Sequence, residues 1–294
     1  MTLLKAIVIF GPPAVLLLAT LEAVALSLLR PQPYNWRAYL ASLADLAGRE
    51  YVVQFFLRFS LAAPLFALAW HHRLWTVPLG TGLSIAALFI GQDFFYYWFH
   101  RASHRVRWFW ATHAVHHSSN QLNLAAAYRF GWTGGWSGTG VFYVPLLFLG
   151  FSPLAVATTQ ALNLLYQFWL HVDWIPKLGP LEYVLNTPSH HRVHHAANPA
   201  YLDANYGGVL IIFDRVFGTF VAERSDLPCR YGLVHPLTTN NPVRIGFHEW
   251  LNLGRDLWQA ASWRERAAII VGPPGDRPAR AVPEPAMIGT SPTP

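Results

Sequence analysis

The chain has 294 residues, of which 53% are hydrophobic and only 12% charged, where an ordinary soluble domain carries roughly 25% charged residues. That balance argues against a soluble enzyme and for a membrane protein, and the 13 tryptophans, 12 tyrosines and 19 phenylalanines suit a bilayer interface. The net charge of +6 is spread along the chain without a Lys/Arg-rich run, so anionic lipid, not nucleic acid, is the expected counter-charge. A single cysteine, Cys229, excludes an intramolecular disulfide and a cysteine-based zinc site.

From the N-terminus, residues 6–29 (AIVIFGPPAVLLLATLEAVALSLL) are long enough to cross a bilayer, which takes about 20 apolar residues. Lys5 alone makes a thin basic flank and the apolar run is long, so the segment reads as a retained helix and not a cleaved leader. Gly11-Pro12-Pro13 is expected to kink it. Residues 51–70 form a second candidate span with Arg58 near its middle, and 77–99 a third. Residues 137–170 suffice for two passes, broken at Gly150-Phe151-Ser152-Pro153. With the loop 100–132 in the cytosol, only Lys5 and Arg73 lie outside and Arg58 within a span. All other basic residues then fall on the cytosolic side, as the positive-inside rule requires. From 171 onward the composition reads as a cytosolic helical cap, with an amphipathic, membrane-skimming stretch over 206–220. The Pro-rich tail after Val271 has little to bury and is expected to be disordered.

The expected architecture is therefore all-α and integral to the membrane: four to five transmembrane helices with a cytosolic helical cap holding a histidine-rich di-metal site. Its divisions are N-terminal transmembrane helices over 1–76, a catalytic domain of transmembrane helices plus cap over 77–271, and the tail over 272–294.

Fourteen histidines are present, and eight fall into three spaced boxes. His100 and His104 form HxxxH; His113, His116 and His117 form HxxHH; His191, His194 and His195 form HxxHH again. Positions three and four apart share a helix face, so each box aims two or three imidazoles one way. Several imidazoles at a membrane edge are costly to bury unless a cation satisfies them. Eight ligands exceed the needs of one zinc and point to two metal ions. Imidazole alone does not choose among Fe, Zn, Cu and Ni, and the scarcity of neighbouring carboxylates excludes the Glu-rich arrangement of soluble di-iron bundles. Isolated histidines such as His71, His72 and His235 read as ordinary surface or core residues.

Several further positions stand beside the boxes. Asp93, Tyr97, His100 and His104 are spaced 4, 3 and 4, one helix face, so Asp93 either orients a ligand imidazole or makes a packing hydrogen bond. Asn123 reads as a donor behind a ligand or a helix cap. Asp203 and Asn205 either orient His194 or His195 or make a turn. Glu22 is expected to face a protein neighbour or the interface, not the metals.

HxxxH, HxxHH and HxxHH in this order, behind a hydrophobic N-terminal half, resemble the fatty acid hydroxylase/sterol desaturase superfamily. DFFYYWFHRASH (93–104), His116-His117-Ser118-Ser119 with Asn123-Leu124, Gln167–His171 (QFWLH) and GPLEYVLNTPSHHRVHH followed by YLDANYGGVLIIFDRVFGTF are similar to its alkylglycerol monooxygenase branch. The resemblance runs from about 85 to 250. It implies a membrane di-iron oxygenase with two Fe ions, O2 as co-substrate and a lipid or apolar substrate taken from the bilayer, with no side chain acting catalytically beyond the iron ligands. It also implies ligand roles for the eight box histidines, with His171 and His190 as extra candidates and His248 as a weaker one. A separate electron donor is implied, a tetrahydrobiopterin, cytochrome b5 or ferredoxin system, because no Rossmann fingerprint or iron–sulfur cysteine set is present. The expected location is a bacterial inner membrane, with the boxes on the cytosolic side. Leu122, Ala125–Tyr128, Asp173 and Arg105 depart from the animal ether-lipid pattern and leave the substrate open, while the Gly/Trp-rich stretch 130–140 is a candidate lining of the substrate path. A desaturase or sterol-type C-4/C-5 oxidase is the nearest alternative; a zinc transporter or sensor and a zinc-dependent hydrolase are the others.

Overall fold

In the computed structural model, which describes residues 3–56 and 62–275, helix α1 (Leu3–Leu29) has a mean hydropathy of 2.1 over its best window and is the one described helix long and apolar enough to cross a bilayer. It runs on through Pro12 and Pro13. Its buried positions are Ala19, Glu22 and Ala23, and the two small side chains let it approach Leu124, Tyr128 and Phe168 closely. Glu22 turns to protein, as its sequence position suggested: one carboxylate oxygen accepts the Leu124 backbone N–H at 2.7 Å, the other the Trp174 indole N–H at 2.8 Å.

Helix α2 (Trp36–Phe56) follows a short turn, and α3 (Ala62–His71) comes after it. The candidate span 51–70 is thus divided between the end of α2 and α3, and its Arg58 lies outside the described residues. Helix α4 (Gly82–Arg105) opens on a capping box between Thr81 and Ser84 and carries the first histidine box at its far end. Val106 turns the chain directly into α5 (Arg107–His117), which carries the second. The stretch 137–170 breaks where the Gly-Phe-Ser-Pro signal put it. A 3-10 turn (Thr139–Tyr143) and α6 (Val144–Phe148) lead into the left-handed Gly150 (φ 105°), and α7 (Pro153–Phe168) starts on the Ser152 cap. At 16 residues, α7 is shorter than the about 20 residues of an upright crossing.

The cap holds α8 (Pro188–His194), α9 (Ile212–Val216), α10 (Pro242–Gln259) and α11 (Trp263–Val271). Among the described residues there is no strand, only the isolated bridges Leu185–Leu210 and Ala196–Tyr231. Helix α10 packs on α5 and α2 through Ile245 and Leu253, with Gly246 against the Trp132 ring. Below it the buried Arg107 guanidinium joins Glu249 at 3.2 Å and Asp256 at 2.6 Å. Of the tail, 272–275 are described and the remainder lies outside the described residues.

The 206–220 stretch divides in two. Ile212 and Val216 on α9 are exposed, but 206–211 folds inward onto the middle of α4. There Asp93 accepts the Val209 N–H at 2.8 Å, the Leu210 N–H at 2.9 Å and the Asn163 amide at 2.8 Å. One carboxylate therefore joins α4, α7 and a cap loop. Gly208 lies at this joint, where a Cβ would stand 2.7 Å from both Asp93 Oδ1 and Asn163 Nδ2. Gly208→Ala is expected to push the loop off α4 and destabilise the protein by about 1–3 kcal/mol, the usual cost of overpacking, read as a fall in the thermal midpoint in detergent.

Candidate metal centre

Nine imidazoles converge where α4, α5, α8 and the segment after α7 meet. They separate into two groups, His100, His104, His113, His117 and His194 in the first, and His116, His171, His191 and His195 in the second. Within each group the nitrogens lie within 4.8 Å of one another. Eight of the nine rings are buried and His113 is nearly so. The HxxHH spacing explains the division. Residues i and i+4 project within about 40° of each other on an α-helix, whereas i+3 projects to the other side of i by about 60°. Helix α5 therefore gives the pair His113/His117 to the first group and His116 to the second. At the end of α8 the use is reversed, with His191/His195 in the second group and His194 in the first. Helix α4 completes the first group with its i, i+4 pair, and His171 completes the second.

Hydrogen bonds fix which nitrogen faces inward. His100 Nδ1 lies 2.9 Å from Tyr206 O, His116 Nδ1 3.1 Å from Arg129 O, His171 Nδ1 2.9 Å from Gln167 O, and His194 Nδ1 3.0 Å from Ala204 O. A carbonyl oxygen only accepts, so in each neutral ring Nδ1 carries the proton and Nε2 the lone pair. The Nε2 atoms of His116 and His171 stand 3.1 Å apart. With both Nδ1 protons committed outward, neither can donate to the other, and two lone pairs face each other. The buried Nε2 atoms of His104, His117 and His194 have no hydrogen-bond partner among the described residues. A cation in each group would satisfy these lone pairs, and adjacent nitrogens 3.0–3.1 Å apart are spaced as neighbouring ligands of one ion with bonds of about 2.0–2.1 Å would be. The residues present fit two metal ions. Their backbone-carbonyl partners are the supports that hold ligating imidazoles in one tautomer and orientation.

In the cap, burial first and neighbouring imidazoles second push His191 and His195 well below the ordinary imidazole range, and burial pushes His194 down to about 3. Folded-state values below the unfolded one mean that the unfolded chain takes up protons first. Stability from these groups is thus present above about pH 6.5 and lost as pH falls through that value toward the folded ones. Metal-free protein is expected to show a falling thermal midpoint between about pH 7 and about pH 5; scanning calorimetry across that range checks this.

The remaining sequence candidates take other places. His190 joins neither group: its Nε2 lies 3.7 Å from Glu182 Oε2 and its ring packs edge-on to Phe220. His248 caps its own turn through Ile245 O at 2.8 Å. Asn123 caps the 3-10 turn Leu124–Tyr128 by accepting the Ala126 N–H. Tyr97 bonds Thr219 and Arg101, and Thr219 donates to Asp214, which accepts the N–H groups of Tyr206 and Gly207. Tyr97 and Asp93 therefore reach no imidazole themselves; both hold the loop whose Tyr206 carbonyl orients His100. Asp203 and Asn205 are left-handed (φ 59° and 58°) and turn the chain so that Ala204, between them, presents its carbonyl to His194. Asp203 bonds Arg105 and stands 3.8 Å from His104 Nδ1, and Asn205 ties His190 O to Val221.

Residues 85–219 match the fatty acid hydroxylase family. This region is similar to fatty acid hydroxylases. The chain is 42% identical over 210 residues to alkylglycerol monooxygenase of Homo sapiens, covering 71% of this chain and 46% of that protein. It is 31% identical over 159 residues to ornithine lipid hydroxylase OlsE of Rhizobium tropici (52% and 46%) and 28% identical over 182 residues to the Delta(7)-sterol 5(6)-desaturase erg3B of Aspergillus fumigatus (57% and 50%). The chain spans about half the length of these relatives, and no solved structure gives a significant match. Arg129, Gln167 and Arg192 lie within the matched region, and their residue types carry no signal of their role in the sequence. Gln167 was legible as the i−4 carbonyl of His171. Arg129 acts through its backbone, while its guanidinium is held by Ser42, Ser118 and Ala38 O. Arg192 lies inside the third box and forks onto Glu223 at 2.7 Å and onto Ile175 O, tying α8 to the segment after His171.

Proposed function

We propose that the chain is a membrane oxidoreductase holding two irons that uses O2 to hydroxylate a C–H bond of a lipid or lipid-like apolar substrate. The observation that carries this reading is the pair of all-histidine groups built reciprocally from α5 and α8, with facing lone pairs in the second. The fatty acid hydroxylase match and the names of the relatives support it. The nine grouped histidines are the proposed ligands, and His190 is left out because Glu182 is its neighbour instead. Two bound irons would supply insertion of one O2 atom into the C–H bond, the other leaving as water with two electrons and two protons from outside.

The chain's own residues position and shield. Phe130 stacks at 12° on His116 and Trp110 lies 5.2 Å from the His104 ring, closing the groups to water. Helices α1 and α4 and the hairpin 139–168 lie in the bilayer in this reading, together with the α2–α3 region. The groups sit at the cytosolic edge of a bacterial inner membrane, 1–76 anchors the 77–271 domain, and a separate reductant of the tetrahydrobiopterin, cytochrome b5 or ferredoxin kind supplies electrons. Desaturation of the same substrate class is the second reading, favoured by the similarity to a sterol desaturase.

Metal analysis of anaerobically purified protein is the first test: about two irons per chain with substrate-dependent O2 uptake are expected, and one tightly held zinc without O2 uptake would overturn the reading. Comparing lipid extracts of strains expressing the chain and its His194→Ala variant then separates the two outcomes, a product gaining one oxygen atom or one losing two hydrogens.

A further inference from the structure

Helices α10 and α11 carry a surface that the metal centre does not use. Arg244, Leu251, Arg255 and Trp258 follow one another at spacings of 7, 4 and 3, so they share one side of α10. That side is opposite Ile245, Leu253 and Asp256, which face the core. Trp258 is 88% exposed, Leu251 65%, and Trp263 at the start of α11 73%. Arg244, Arg255, Arg264 and Arg266 are all exposed, and none has a carboxylate partner among the described residues; Arg264 lies only over the ring of its neighbour Trp263. The acids of the same segment are committed inward or to a cap. Glu249 and Asp256 hold the buried Arg107, and Glu265 accepts the Ala261 N–H at 2.7 Å. The outward side is thus cationic and aromatic with no free carboxylate.

The position of this surface points to what covers it. Trp250 of α10 packs 5.4 Å from Trp136 and donates its indole N–H to Thr133 at 2.9 Å, and the Trp108 indole donates to Ser137 O at 2.9 Å. Those partners lie on the loop that leads into the apolar helix Thr139–Phe148. At its far end, α11 passes to Gly272, whose carbonyl accepts the Arg107 N–H next to the end of α4. The helix pair is docked at the mouth of the apolar hairpin, where Trp and Leu favour the headgroup–acyl boundary and arginines favour lipid phosphate.

We infer that α10 and α11 form an interfacial anchor for a bilayer rich in anionic phospholipid, with Trp258, Trp263 and Leu251 at the headgroup–acyl boundary and Arg244, Arg255, Arg264 and Arg266 on lipid phosphates. The inference rests on the reading that α1 and the 139–168 hairpin lie in the bilayer. In this arrangement the cap is fastened to the membrane surface on the α10 side as well as through α4.

The test uses the full chain in lipid nanodiscs on a Cys229→Ser background, spin-labelled through Trp258→Cys or, as a second site, Trp263→Cys. Controls are labelled through Asp226→Cys on the exposed cap and Leu17→Cys on α1. In phosphatidylglycerol discs the Trp258 and Trp263 labels are expected to be reached by O2 and to be several-fold less accessible to a water-soluble nickel chelate than the Asp226 label. Protection should be weaker in phosphatidylcholine discs, and Arg255→Glu with Arg264→Glu should remove the difference between the two lipids. Nickel access at both tryptophan sites equal to that at Asp226 overturns the anchor. So does a label already immobilised in lipid-free detergent, which would mean that protein covers this surface. A Leu17 label open to nickel overturns the spanning reading and the anchor with it; protection at Leu17 without protection at the two tryptophan sites overturns the anchor alone.

Discussion

Replacing His171 by alanine is expected to empty the second histidine group and abolish turnover while the first group still holds its ion. His171 is the residue against which His116 and His191 both stand, at 3.1 and 3.0 Å, and its Nδ1–H is fixed by Gln167 O. Its removal leaves three imidazoles and a gap open to water. Loss of a residue merely supporting a ligand costs about 10–100-fold in affinity or activity, so loss of a ligand is expected to exceed roughly 100-fold. Iron content should fall from about two ions per chain to about one. Two ions retained with activity intact would show that His171 is a packing residue and would remove it from the proposed set.

Asp93→Asn is expected to act on the first group from a distance. The carboxylate accepts two backbone N–H groups and the Asn163 amide with its two oxygens. An amide in its place turns one acceptor into a donor aimed at another donor. The 206–211 loop then loses its seat on α4, and the Tyr206 carbonyl that orients His100 moves with it. The expected result is a loss of about 10–100-fold in affinity for the ion of the first group and of about 1.5–3 kcal/mol in stability, while the second group is unaffected. Chelator competition followed ion by ion checks this; equal weakening of both ions would mean a general loosening of the fold.

The histidine boxes were legible because ligation at i, i+3 and i+4 leaves a pattern in the primary sequence, and the break at Gly150–Pro153 because turn chemistry is local. The way each HxxHH divides between the two histidine groups was not legible, since spacing gives the helix face but not where the second helix crosses it. His190 shows the same limit from the other side: its neighbours are dense in imidazole, yet its own direction on α8 takes it to Glu182. The groups that orient the ligands were hidden for a different reason. All four, Tyr206, Arg129, Gln167 and Ala204, act through backbone carbonyls, which any side chain can supply, so the residue type carries no signal, and only the i−4 spacing of Gln167 from His171 leaves a trace. Asp203 and Asn205 were visible as polar residues after the third box, but their contribution is a left-handed turn that aims the carbonyl between them. The expected spans fared unevenly for a physical reason: α4 carries Asp93 at its middle and His100, Arg101, Ser103, His104 and Arg105 at its far end, so it is not among the helices apolar enough to cross a bilayer although its length suffices.

The carbonyl-anchored tautomers have a consequence for how ions come and go. Four of the nine rings, His100, His116, His171 and His194, are buried and held from behind by backbone carbonyls, and they come from segments far apart in sequence: the end of α4, α5, residue 171 and α8. None of these four rings could swing out to hand an ion to water without breaking its outward hydrogen bond and leaving a buried donor unpaired. With two ions bound as proposed, release would require the cap to lift, and their lifetime would become that of the closed cap. Loading would then be tied to the moment when residues 188–195 first close on α5 during folding, and the metal present at biosynthesis would decide which metal the protein keeps.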